Sequence, residues 1–311
     1  MLCYILFFSI LGNSLVQAIP FPGISQFEEL SLRRDVNGSS GGNGSCPTIW
    51  TTISADLTAI FLDPSTRQCT DDARAAIRVA FHDAATFSTK LPRVAPASGG
   101  ADGSLILAKE YNRRDNNGLQ AISLKLLALA QKRNVGIADM IQFAGAHAVV
   151  TCPLGPRVQT FVGRKDSSMP SPHGLLPDVH APANSLLSLF VDKGFNAREL
   201  AALIGAHTCS KQFHVNETLA GQPQDSTPGT WDVKFYSDTF NPPPGVFVLQ
   251  SDRGLSQQKD VGMVFEGYID NQGKWMSDFA PAMTKLSVLG LPGGTSGLID
   301  CTGALPRRTG E

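Results

Sequence analysis

Residues 70–85, Thr-Asp-Asp-Ala-Arg-Ala-Ala-Ile-Arg-Val-Ala-Phe-His-Asp-Ala-Ala, decide how the rest of the chain reads. The stretch is rich in Ala and long side chains. Thr70, Asp71 and Asp72 at its head can accept orphan N–H groups and oppose the macrodipole, so the stretch reads as a helix. On it Arg78 and His82 are i,i+4 neighbours projecting side by side, while Asp83 is turned about 100° from His82. One face therefore presents a base beside a fixed cation, and another offers a carboxylate.

Working outward, apolar residues recur at three and four over 47–62, 117–134 and 137–147, which predicts three more helices. Before the second of these, Gly99-Gly100-Ala101-Asp102-Gly103-Ser104 alternates glycines with oxygen-bearing side chains and suits a tight turn or a hard-cation loop. The Pro- and Gly-rich span 153–184 reads as a connection between two helical lobes. Asn196-Ala-Arg-Glu199 has the form of a capping box, and Leu200, Leu203, Ile204 and His207 continue one face, placing His207 on the buried side near the helix end. Asp225-Ser-Thr227-Pro-Gly-Thr230-Trp-Asp232 offers oxygens at short spacing around a Pro-Gly turn, a second candidate cation loop. The run Val246 to Leu249 leads up to Asp252. The tail reads as helical from Pro281 to about Leu289 and Gly-rich from there to Cys301. The expected fold class is mostly α, with few short strands.

The chain has 311 residues, 42% of them hydrophobic, and a formal charge of −1. No basic or acidic run interrupts that balance, which argues against nucleic-acid binding and against attachment to an anionic membrane. Residues 4–11 form an apolar block followed by Val16-Gln17-Ala18, so 1–18 reads as a signal peptide too short to span a bilayer, and the protein is expected outside the cell. Residues 19–45, with the dibasic pair Arg33-Arg34 and a Gly/Ser/Asn linker, read as a propeptide. The folded domain is expected over 46–301 and a short tail over 302–311. Asn37, Asn43 and Asn216 begin glycosylation sequons. Six cysteines are present, and removal of Cys3 with the leader leaves five, so two disulfides and one thiol are expected, with the pairing left open by sequence.

From Cys46 to Cys301 the motifs, taken in order, resemble the class II, secreted fungal branch of the plant-type haem peroxidases. Arg78-x-x-Phe81-His82-Asp83 is similar to the distal helix, and Leu203-Ile-Gly-Ala-His207-Thr208 to the proximal one. Leu249-Gln-Ser-Asp252 is similar to the segment with the carboxylate behind the iron ligand, and Glu110 with Asn116-x-Gly118-Leu119 to the segment whose Asn orients the distal His. The resemblance implies a two-lobed helical fold with haem b between a distal lobe, about 46–165, and a proximal lobe, about 180–290. It implies two calcium ions. Asp83, Gly100, Asp102 and Ser104 would hold one, and Thr208, Asp225, Thr227, Thr230 and Asp232 the other. It also implies the disulfides Cys69–Cys152 and Cys46–Cys301, leaving Cys209 as a buried structural thiol. His82 would act as base on hydrogen peroxide, Arg78 would stabilise developing charge, and Phe81 would keep the pocket dry. His207 would bind iron with Asp252 behind it, and Asn116 would fix the tautomer of His82.

Substrate positions depart from the specialised members. The three carboxylates of a manganese site correspond to Asp71, Ala75 and Phe213, and the surface Trp of lignin-type enzymes to Ala202. Trp231, Tyr236 and Trp275 read as packing residues rather than electron relays. The expectation is a monomeric, generic peroxidase acting on hydrogen peroxide and small aromatic reductants. Two rivals stand beside it. One is a metal-dependent phosphohydrolase using His82-Asp83, for which His147 and His173 are poor further ligands, and the other is a secreted, non-catalytic calcium-binding protein.

Overall fold

A computed structural model describes residues 44–91 and 99–308. The expected leader, Arg33-Arg34 and the sequons at Asn37 and Asn43 lie outside those residues. Among the described residues the helices are α1 (Ile49–Phe61), α2 (Asp71–Ala84), α3 (Ser104–Leu107), α4 (Gln120–Arg133), α5 (Ile137–Thr151), α6 (Ala183–Asp192), α7 (Ala197–Ile204), α8 (Lys234–Phe240), α9 (Gln250–Gln257), α10 (Lys259–Glu266) and α11 (Gln272–Leu286). The sheet is one short antiparallel pair, β1 (Phe161–Val162) and β2 (Ile299–Asp300), with Phe161 opposite Asp300. The fold is mostly α.

Local chemistry explains where α2 and α7 start. The Thr70 hydroxyl accepts from the Ala73 N–H and donates to the Ile60 carbonyl, 2.9 Å away, while Asp71 and Asp72 occupy the first turn. The α7 capping box forms in full: Asn196 Oδ1 accepts from the Glu199 N–H and Glu199 Oε2 from the Asn196 N–H, each at 2.9 Å.

Elsewhere the bounds differ from the periodicity. Helix α4 begins at Gln120 rather than 117, because 3₁₀ turns occupy Glu110–Asn112 and Arg114–Asn116 and Gly118 takes φ +88°. Helix α5 runs on to Thr151, since Ala148, Val149 and Val150 are all core residues. His207 lies beyond α7, in the 3₁₀ turn Gly205–Cys209. Helix α11 starts after an Asn271 cap, nine residues before Pro281, which it contains. Burial of Phe279, Met283 and Leu286, at about 2 kcal/mol each, outweighs roughly 3 kcal/mol for an internal proline.

Two helix groups result. In the first, α2 lies along α5, and α1 and α4 pack on the same partner. The crossing is close enough that a Cβ on Gly145 would overlap that of Ala80. In the second, α7 packs on α10 and α11, and α9 on α6, α8 and α10. Its core is aromatic. Trp231 stacks on Trp275, ring centroids 5.4 Å apart, beside Tyr236, Phe265 and Phe279. This cluster backs the end of α7: Tyr236 Oη donates to the Ala201 carbonyl and Trp275 Nε1 to that of Ala202, both at 2.9 Å. Gly205 is required there, for its Cβ would stand 2.6 Å from Trp275 Nε1. The aromatics thereby set the height of the turn that presents His207.

The disulfides are Cys46–Cys301 and Cys69–Cys152, and Cys209 is a buried free thiol. The second bridge joins the start of α2 to the end of α5. No helix among the described residues is long and apolar enough to cross a membrane.

Candidate active site

Helix α2 presents Arg78 and His82 together, as their spacing requires. Arg78 Nε donates to His82 Nε2 at 3.2 Å, and His82 Nδ1–H donates to Asn116 Oδ1 at 2.7 Å. Because guanidinium can only donate, the ring must be neutral, with its proton on Nδ1 and a lone pair on Nε2. Asn116 is itself fixed: its Nδ2 donates to the Glu110 carbonyl at 2.8 Å, and the Glu110 carboxylate is held by Ser171 and Arg113. Burial, and after it the Arg78 charge, lower the His82 pKa to about 3, while Asn116 opposes them. Arg78 lines the open side of the site, where low-dielectric walls bring its pKa to about 10 and leave it charged at neutral pH. Nη1 and Nη2 each donate once to a carbonyl, of Asn117 at 2.8 Å and of Asp115 at 3.2 Å. Phe81 meets the His82 ring edge-on and stacks on Phe190 of α6.

In the 3₁₀ turn, His207 Nδ1–H donates to Asp252 Oδ2 at 3.0 Å. Asp252 is fully buried in the first turn of α9, and its Oδ2 also accepts from Gln224 Nε2 at 3.2 Å. His207 Nε2 therefore keeps its lone pair, with no hydrogen-bond partner among the described residues. Phe235 sits edge-on to the ring.

Asp83, one position from His82, faces away into the Gly99–Ser104 loop, so the two do not form a shared metal pair. Its carboxylate accepts from the N–H groups of Gly103 and Leu105 at 3.1 and 3.2 Å. Burial, then the nearby Asp102 charge, push its pKa well up, and burial raises Asp102 as well. Ser104 Oγ is buried beside the Asp102 carboxylate, without a hydrogen bond of good geometry among the described residues. One buried carboxylate, Asp83, one partly buried, Asp102, an orphaned hydroxyl and the Gly100 carbonyl are a donor set for a hard cation. The second loop closes similarly: the Thr208 hydroxyl bonds Asp225, the Thr227 hydroxyl bonds Asp232 at 3.0 Å, and Thr208 Oγ1 is 3.5 Å from the Thr230 carbonyl. Burial raises the pKa of Asp225 to about 7.

At the positions that the resemblance compares with a manganese site, Asp71 is ion-paired to both Arg74, 2.7 Å, and Lys211, 3.1 Å; Ala75 is partly buried and Phe213 is exposed. Ala202, Trp231, Tyr236 and Trp275 are all fully buried. His147 is a core residue, its Nε2–H donating to the Ser54 carbonyl at 2.9 Å. Sequence reading missed Gln224 behind Asp252. It also missed the loop after Lys211, whose His214 ring lies 3.1 Å from the position of a Gly118 Cβ, beside Arg78. Neither residue belongs to a spaced motif, so no sequence signal marked them.

Residues 53–271 match the protein family described as Peroxidase. The chain is 31% identical to "Versatile peroxidase VPS1" of Pleurotus eryngii, over 86% of this chain and 77% of that protein. It is 32% identical to "Manganese peroxidase 3" of Phlebia radiata, covering 76% and 70%. With "Low-redox potential peroxidase" of Taiwanofungus camphoratus it shares 34% identity, covering 67% and 68%. These matches set aside both rival classes, and the chain belongs to the peroxidase family as a haem peroxidase of the fungal kind.

Proposed function

We propose that this enzyme reduces hydrogen peroxide and oxidises small phenolic or dye-like donors in one-electron steps at the haem edge, outside the cell and as a monomer. The observation behind the peroxide half is the Arg78–His82–Asn116 chain. It leaves one unprotonated nitrogen, His82 Nε2, beside a permanent positive charge. When bound, haem b supplies the redox chemistry, taking oxidising equivalents from peroxide and passing them on to donors. His82 Nε2 takes the proton from one peroxide oxygen and returns it to the other, so that water leaves. Arg78 stabilises the negative charge gathering on the departing oxygen, and Phe81 excludes water. His207 Nε2, the unpartnered nitrogen, would hold the haem iron, and Asp252 would increase its basicity through Nδ1–H. Calcium at Asp83, Gly100, Asp102 and Ser104, and at Thr208, Asp225, Thr227, Thr230 and Asp232, would neutralise the carboxylates and fix the two elements that present the histidines.

The donor half rests on Asp71. It is the one carboxylate left of three, and two cations already occupy it. That arrangement argues for general donors over tight Mn(II) use, with weak Mn(II) turnover as the second reading, since Asp71 is exposed. A high-spin ferric Soret band in the purified holoenzyme, followed by steady-state turnover of a simple phenol, Mn(II) and veratryl alcohol, tests both halves. Absence of haem after expression with haem supplied overturns the first, and Mn(II) turnover at micromolar affinity overturns the second.

A further inference from the structure

We propose that Cys209 and the Cys69–Cys152 disulfide form an exchange site in which the free thiol displaces Cys152 and bonds Cys69 instead. Cys209 Sγ lies 3.9 Å from Cys69 Sγ, and the three sulfurs lie within 4.8 Å of one another, all buried. A thiol in contact with a disulfide is placed for exchange, provided it can turn toward the bond and lose its proton.

What restrains that freedom is one loop. The Cys209 sulfur is 3.3 Å from the Thr230 carbonyl, and the Cys69 sulfur is 3.9 Å from that of Gly229. Both sulfurs thus lean on residues 229–230, inside the loop that closes through Thr208, Asp225, Thr227 and Asp232. Loosening this loop removes the contact that holds the thiol.

The step balances without an oxidant. The Cys209 sulfur, giving up its proton, attacks Cys69 Sγ; the Cys69–Cys209 bond forms as Cys69–Cys152 breaks, and Cys152 leaves as a thiolate that takes up a proton. One disulfide and one thiol remain, so the two forms are isomers. They differ in what they tie together. The present bond joins the root of α2 to the end of α5, whereas the exchanged bond joins the root of α2 to a residue two positions past His207. The covalent restraint would pass from one helix group to the link between α2 and the His207 turn.

The test uses the holoenzyme and does not depend on its donors. Samples are warmed with and without a calcium chelator, quenched in acid, alkylated with N-ethylmaleimide, digested without reduction and mapped by mass spectrometry. Before warming, the alkyl group is expected on Cys209. After warming with chelator, a Cys69–Cys209 peptide and alkylated Cys152 should rise together, at a rate independent of protein concentration, as the Cys69–Cys152 peptide is lost. Recovery of only Cys69–Cys152 after the tertiary structure has melted, or new bridges found only between molecules, overturns the proposal. In Cys209→Ala the original disulfide should survive the same treatment, and alkylation of Cys152 in that variant would show that Cys209 is not the nucleophile. If Cys209→Ala does not fold, the map of the unaltered chain decides alone.

Discussion

Replacing Asn116 by Val isolates the group that sets the state of His82. Asn116 is buried and accepts the Nδ1–H of His82 at 2.7 Å. Without it that N–H is left unsatisfied, a loss of about 1–3 kcal/mol, and the ring is free to move its proton to Nε2, which removes the base. At roughly 1.4 kcal/mol per factor of ten, the second-order rate constant with hydrogen peroxide should fall about tenfold to a hundredfold. The surrounding loop should persist, because Ser171 and Arg113 still hold the Glu110 carboxylate. Stopped-flow mixing of the holoenzyme with peroxide, followed in the haem absorbance, measures the constant directly. Asn116→Asp restores the acceptor and adds a negative charge, which raises the His82 pKa from about 3, so the acid limb of the rate should move to higher pH. A Val variant that binds haem and keeps a rate within twofold of the unaltered enzyme would refute the tautomer argument.

Burial holds the His147 pKa at about 4. The unfolded chain therefore takes up a proton there that the folded chain refuses between about pH 6.5 and 4, and stability should fall by roughly 2 kcal/mol from pH 7 to 5; Tm measured for His147→Gln should show a shallower slope. Asp225 has the opposite sign, raised to about 7, so protein stripped of calcium should lose stability as pH rises from about 4 through 7, and added calcium should abolish that loss in thermal melts at pH 5 and 8. The double change Ala75→Glu and Phe213→Asp restores carboxylates beside Asp71 and should lower the KM for Mn(II) by at least about tenfold, a shift seen in steady-state turnover.

Much of the site was legible because it rests on short-range rules. Thr70 with two aspartates announces a helix start, and the spacing of Arg78, His82 and Asp83 fixes which of them share a face. The Asn196 capping box told where α7 begins but not where it stops: a 3₁₀ turn has three residues per turn, so its side chains drift off a stripe drawn at helical spacing, and His207 falls in that turn rather than on the helix. The helix expected from Pro281 starts at Gln272, because packing of the apolar residues around Pro281 tolerates a proline mid-helix. Helices α8, α9 and α10 have seven or eight residues each and escaped notice, since, unlike α7 of the same length, none carries a capping box to mark its start. Gln224 and His214 act through contacts between segments distant in sequence, which local patterns do not encode.

The Cys46–Cys301 bridge has a topological consequence. With Cα atoms 5.0 Å apart, it closes the chain between those residues into a covalent ring that contains both histidines and both acidic loops. A single protease cut in the exposed segment 217–220 would open the ring without releasing a fragment, so nicked enzyme should run as one species on a non-reducing gel and as two after reduction. For the same reason the molecule is suited to circular permutation: joining residues 46 and 301 by a short linker and starting the chain within 217–220 would preserve every contact described around His82 and His207.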